Sequence, residues 1–257
     1  MPKTLTRAGV RPAGALVGFT RMLVGLWERD PPDAVVVGWD TLTVPTYRHQ
    51  AFPAYQSGRV FDDALLDQLE LLPGIVRSFG FAAAKVDGYE ADDFLAAAAR
   101  AWPGDVVVAT SDRDAFQLVS DRVTILQPVK GVSELAHVGP AEVRDRYGVE
   151  PEQVPDLIAL RGDPSDRLPG ARGVGPKTAA QLLQHYGTLE AVLADGRFAA
   201  EAEELRLYRR IATMDASAPL PLLTHQTPKW AEASSFLREL GLDQVAERVA
   251  EVARSTS

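Results

Sequence analysis

The sequence predicts an α/β domain, built on a mostly parallel sheet flanked by helices, followed by an all-helical domain. Three observations carry that prediction. Short apolar runs alternate with helix-spaced apolar positions through the first half of the chain. After about Gly139 the strand pattern stops, and short helices punctuated by Gly and Pro take over. The composition, 46% hydrophobic and 24% charged in 257 residues, is that of a globular chain long enough to bury a core.

In chain order, Leu16, Phe19, Leu23 and Leu26 recur at spacings of three and four, which predicts an amphipathic helix over 14–29. Val35, Val36 and Val37 mark a short buried strand over 33–40 that ends in Asp40. Residues 41–58 are polar and marked by Pro. Apolar positions 61, 65, 69, 72, 76 and 79 then trace one helical face, with a kink or break at Pro73-Gly74. A helix over 90–102 and strands over 105–110 and 123–126 complete the α/β part. Beyond them come helices over 140–147, 151–161, 176–186, 188–194 and 199–213, and a helical tail over 231–253. The division this implies is 1–135 for the α/β core, 136–225 for the helical domain and 226–257 for the tail.

The absence of cysteine rules out disulfides, thiol nucleophiles and thiolate zinc sites, and it fits a reducing cytoplasm. No apolar run is long enough for a bilayer, so no membrane partner is expected. With Lys+Arg 27 against Asp+Glu 35, the net charge of −8 argues against a generic polyanion binder. Carboxylates that converge on metal ions change that, because the cations turn an acidic site toward anionic ligands.

Four acidic clusters sit where such convergence is expected. Asp40 ends the first strand, and Asp112 and Asp114 follow the 105–110 strand. Sites in open α/β sheets lie beyond the carboxyl ends of strands, so these three share an edge. Glu90, Asp92 and Asp93 open a helix, and Asp163 and Asp166 share the loop Gly162-Asp163-Pro164-Ser165-Asp166. Taken singly, each reads as a helix-start charge or a polar turn. Together they would repel one another without cations. Mg²⁺ or Mn²⁺, hard ions with oxygen ligands, relieve that repulsion and stabilise attacking and leaving oxygens in phosphoryl transfer.

A complementary feature runs from Leu168 to Ala179. Pro176 suits a first helical turn, Gly173 and Gly175 let backbone approach a ligand, and Lys177 and Thr178 follow at the helix start, where N–H groups favour phosphate. Pro176 separates Gly175 from Lys177, so this is no Walker A loop. A plain glycine turn between packed helices weighs equally with a hairpin that grips a nucleic-acid backbone without reading bases.

At these residues the chain resembles the 5′-nuclease family: the 5′–3′ exonuclease domain of bacterial DNA polymerase I, its stand-alone relatives and the flap endonucleases. The resemblance rests on the segments 86–93, 110–118, 160–170 and 173–179, with weaker support from Asp40, Tyr47-Arg48-His49 and 55–59. It implies a resolvase-like nuclease core followed by a helix-three-turn-helix domain. It implies two divalent ions, Mg²⁺ or Mn²⁺, held directly or through water by Asp40, Glu90, Asp92, Asp93, Asp112, Asp114, Asp163 and Asp166. It further implies a monomer that acts on DNA with 5′ ends, flaps or branched junctions. In this reading 41–60 is an arch with Arg48 and Arg59 on phosphates, and Gly173, Gly175, Lys177 and Thr178 hold the duplex, with a monovalent cation such as K⁺ at that turn.

Two departures bear on activity. The family begins with a strand carrying an Asp of the first metal site, and this chain starts past it, which leads us to expect a translation start upstream. The family's arch carries Tyr-Lys-x-x-Arg, and this chain has Tyr55-Gln56-Ser57-Gly58-Arg59; Gln56 donates a hydrogen bond but supplies no charge. An active structure-specific nuclease and a branched-DNA binder that cuts poorly therefore stand side by side as readings of the sequence.

Overall fold

The computed structural model describes residues 6–7, 11–58, 61–130 and 134–255. Its contacts divide the chain into two compact units that do not follow the linear order of the sequence. One comprises Met1–Trp39, Val60–Lys85 and Leu220–Ser257; the other comprises Asp40–Arg59 and Val86–Pro219.

The first unit holds a two-stranded antiparallel ribbon, β1 (Thr6–Arg7) with β2 (Arg11–Pro12), and a parallel pair, β3 (Val36–Gly38) with β4 (Ala82–Ala84). Four helices cover its core: α1 (Gly14–Arg29), α3 (Asp63–Ser78), α10 (Trp230–Glu239) and α11 (Asp243–Ser255). Leu16, Ile75, Phe79, Leu237 and Val249 are buried in it, and Trp27 packs edge-on against Trp230. Each such fully buried side chain contributes about 1.5–3 kcal/mol of transfer free energy. Of the kink or break expected at Pro73-Gly74, a break is absent, since α3 runs through both residues. A Cβ at Gly74 would press on the Phe236 ring at 3.2 Å, so the glycine lets α10 pack closely on α3 there.

The second unit carries α2 (Tyr47–Ala51), α4 (Ala91–Ala101) and a three-stranded sheet. In that sheet β5 (Val106–Ala109) pairs parallel with β6 (Val123–Lys130), and β6 pairs antiparallel with β7 (Glu134–Val138). A 3₁₀ turn, Asp114–Leu118, follows β5. The helical part is α5 (Pro140–Tyr147), α6 (Val154–Arg161), α7 (Pro176–Tyr186), α8 (Leu189–Ala194) and α9 (Ala202–Ala212). At its centre α6 packs on α7 and α9, with Leu157, Ile158, Ala159 and Leu160 buried in succession.

The α/β class and the helical second part stand as the sequence predicts, but the strands do not pair as one sheet. Among the described residues, β3–β4 and β5–β6–β7 are separate sheets. The tail expected as one pattern is two helices, because Gly241, at φ +71°, turns the chain between α10 and α11.

Candidate active site

All eight carboxylates singled out in the sequence lie in the second unit. Asp40 follows β3, and its Oδ1 accepts from the Ala91 N–H at 2.7 Å, so it caps the start of α4. Glu90 is the residue before that helix, and Asp92 and Asp93 sit in its first turn, where the helix dipole favours negative charge. Past β5, Asp112 Oδ1 accepts from the Asp114 N–H at 2.9 Å, which tightens the turn carrying both. In the loop after α6, Asp163 Oδ1 accepts from the N–H and hydroxyl of Ser165.

That loop is shaped by two glycines. Gly162 and Gly170 have φ of +78° and +74°, and a Cβ on either would collide with backbone of the other limb. Reciprocal backbone bonds between Asp163 and Leu168, both 2.8 Å, close it. The result projects Asp163 and Asp166 into a cleft of about 360 Å³ shared with Asp112 and Asp114. An adjoining recess brings in Glu90 and Asp92 beside Asp112, Asp114 and Asp166.

Crowding shows in the protonation of this cleft. Burial, then the charges of Asp112 and Asp40, push Asp92 up to about 7. Burial, then Asp112, Asp163 and Asp166, push Asp114 up to about 8. The donor set is all oxygen and mutually repelling, which fits hard divalent cations in chemistry. Among the described residues no three Asp, Glu or His side chains already close on a single point as an ion would require.

Two predicted site residues are engaged with the protein's own groups. Asp93 faces away from the cleft, fully buried, and both its oxygens are taken. Oδ1 accepts from Tyr47 Oη, Arg48 Nη2 and the Asp215 N–H at 3.1, 2.7 and 2.8 Å; Oδ2 accepts from Arg48 Nη1 and the Glu90 N–H at 2.9 and 3.0 Å. With its lone pairs spent, Asp93 is a structural anion and no free metal ligand. Arg48, only 3% exposed at the lining of the recess, is engaged with it. Its guanidinium donates to Asp93, to the Ile211 carbonyl at 2.9 Å and to the Thr213 carbonyl, and it lies 3.4 Å from Glu90 Oε2. Arg59 lies outside the described residues.

The remaining predicted residues keep open positions. Gly173, at φ +75°, and Gly175 have free space where a Cβ would go, and Lys177 and Thr178 are exposed at the start of α7. Gln56, in the left-handed region at φ +46°, donates from Nε2 to Asp166 Oδ1 at 2.9 Å and to Tyr55 Oη at 2.8 Å. Tyr55 passes that chain on to Glu90 Oε2 at 2.9 Å, and the Thr46 hydroxyl donates to Glu90 Oε1 at 2.7 Å. The reading of the sequence missed Thr46 as a partner of Glu90, and Arg113, Tyr147 and Arg161 on the cleft wall. An Arg or Tyr beside an acidic motif is too common to stand out without the fold.

Known proteins place this arrangement. The 5′–3′ exonuclease N-terminal resolvase-like domain matches residues 1–148, and the 5′–3′ exonuclease C-terminal SAM fold matches 149–234. DNA polymerase I of Mycobacterium bovis is 41% identical over 192 residues, which cover 73% of this chain and 21% of that protein. The thermostable DNA polymerase I of Thermus thermophilus is 38% identical over 232 residues, covering 85% of the chain and 27% of that protein. The chain thus spans under a third of the length of these relatives. In structure it is similar to the bacteriophage T5 flap endonuclease in complex with DNA and metal ions, with TM-score 0.68 at 16% identity, covering 95% of this chain and 92% of that one. A likeness to the catalytic core of Rad2 with DNA substrate has TM-score 0.57 at 14% identity, covering 90% and 82%. With two successive domains matched along most of its length and the acidic cleft assembled between strand ends and loop, the chain belongs to the 5′–3′ exonuclease family.

Proposed function

We propose that this chain is a divalent-metal-dependent nuclease that hydrolyses DNA phosphodiesters near 5′ ends and flap junctions. The observation that carries this reading is the gathering of Glu90, Asp92, Asp112, Asp114, Asp163 and Asp166 along one cleft, with Asp40 coupled to Asp92. These seven carboxylates, without Asp93, would hold the metal. When bound, divalent ions supply a water activated for attack and charge stabilisation of the leaving oxygen. The chain's own groups hold the carboxylates in place: Thr46 and Tyr55 fix Glu90, the Asp112–Asp114 turn fixes its pair, and the glycine-closed loop fixes Asp163 and Asp166.

Gly173, Gly175, Lys177 and Thr178 form an exposed helix start suited to a duplex backbone, where contacts to phosphate give position without sequence preference. A labelled 5′-flap duplex incubated with Mg²⁺, Mn²⁺ or chelator tests the whole reading. Cleavage that needs the ion and is lost in Asp112→Asn and Asp163→Asn, with flap binding kept, supports it. One observation favours the second reading, a binder that cuts poorly: Gln56, which supplies an amide and no charge, donates to Asp166. Tight flap binding without cutting in either ion decides for the binder.

A further inference from the structure

Two guanidinium groups and one phenol line a wall of the acidic cleft. Arg161 stacks over Tyr147, with Cζ 5.3 Å from the ring centroid. Burial raises the Tyr147 pKa, and the charges of Arg161 and then Arg113 act against that rise. Arg113, Tyr147 and Arg161 line the same cleft as Asp112, Asp114 and Asp163. Yet among the described residues neither arginine forms an ion pair within 4 Å. Arg161 is near enough to Asp114 to act on its charge, but with no ion pair closed, two guanidiniums on one cleft wall can still take an anion, as the carboxylates can take cations. A guanidinium fork matches the tetrahedral oxygens of phosphate and offers two parallel N–H donors to it.

We propose that Arg113 and Arg161 form a phosphate-binding subsite that takes one phosphate of the DNA substrate. The proposal rests on the nuclease reading and deepens it: the cleft then has a cation-seeking side and an anion-seeking side. The phosphate is either the terminal phosphomonoester of a 5′ end or an internal phosphodiester, chemically alike toward the two arginines.

Fluorescence anisotropy with the full chain tests it, on flap duplexes carrying a 5′-phosphate or a 5′-hydroxyl, in chelator and in Ca²⁺, across a salt series. Arg113→Gln and Arg161→Gln are each expected to weaken binding roughly fivefold and to lower the salt slope by about one charge. A loss confined to the phosphorylated flap assigns the terminal phosphate, and an equal loss on both assigns an internal one. Arg113 is exposed, so its variant tests the subsite even where Arg161→Gln unsettles the stack on Tyr147. Unchanged affinity and slope in both variants overturn the proposal. A loss at Arg161 alone, together with a lower melting temperature, also overturns it, because the broken stack then explains the effect. Lys177→Ala separates the two readings. Binding that depends on Lys177 but ignores both arginines removes only the subsite, whereas a wild-type chain that binds no flap removes the nuclease reading with it.

Discussion

A single buried arginine shows how far one residue's role depends on its surroundings. Arg48 and Asp93 are a bidentate pair at 2.7 and 2.9 Å with almost no exposure, tied to the carbonyls that end α9. Breaking such a pair from one side leaves a buried charge alone, which costs about 3–5 kcal/mol. Arg48→Met should therefore lose that much in urea unfolding, and the double variant Arg48→Met/Asp93→Asn should lose less than the sum of the singles. Nothing near Arg48 in the sequence shows this, since its partners stand 45 and 163 residues away. The motif residues that end strands or fill turns were legible because their chemistry is local; Asp93, one turn into the same helix, was not distinguishable from Asp92. Gln56 offers a second test at this scale. Gln56→Lys would set a cation beside Asp166, in the recess where charge develops, and should raise the single-turnover cleavage rate in quench-flow. An unchanged rate would assign that electrostatic task to another residue.

At the scale of elements, the amphipathic helices were readable because three-and-four spacing is intrinsic to a helix face, as in α1 and α3. Strand β4 was not, because Ala82, Ala83 and Ala84 are poor strand formers that become a strand only by pairing with Val36, Val37 and Gly38. The same holds for β7, whose pairing with β6 comes from tertiary context. The loop 162–170 makes a prediction that turns on backbone alone. Gly162→Ala or Gly170→Ala puts a methyl into the opposite limb at a positive φ, so either should lower the melting temperature by several degrees and loosen the hold on Asp163 and Asp166. Differential scanning calorimetry with and without Mn²⁺ reads both effects, since a loosened site should also gain less from the ion. A variant that melts like the wild type would show that the loop tolerates a second route.

For the whole molecule, the crowded cleft sets how stability follows pH. Asp92 and Asp114 have folded values of about 7 and about 8, raised from an ordinary 3.8. The folded state therefore holds these protons more tightly than the unfolded chain, and the stability they contribute is full below the ordinary value. It is lost as pH rises from about 4 to about 8, and levels off above. In chelator, melting temperature should fall across that range, and Asp114→Asn should flatten the fall because the amide never ionises. A slope unchanged in Asp114→Asn would remove that residue from the crowding.

The interleaved path of the first unit has its own consequence, which concerns the order of events on the ribosome. Its core is made from helices near the start of the chain and helices near residue 250, so Trp27 and Phe79 meet Trp230 only after the whole intervening segment has been made. At ordinary elongation rates that is a wait of roughly ten seconds or more. For that time α1 and α3 carry apolar faces whose partners do not yet exist, while the core of the second unit, drawn from 40–59 and 86–219, is complete before residue 220 is made. The nascent chain is thus most exposed to aggregation, and most in need of a chaperone's cover, at α1 and α3.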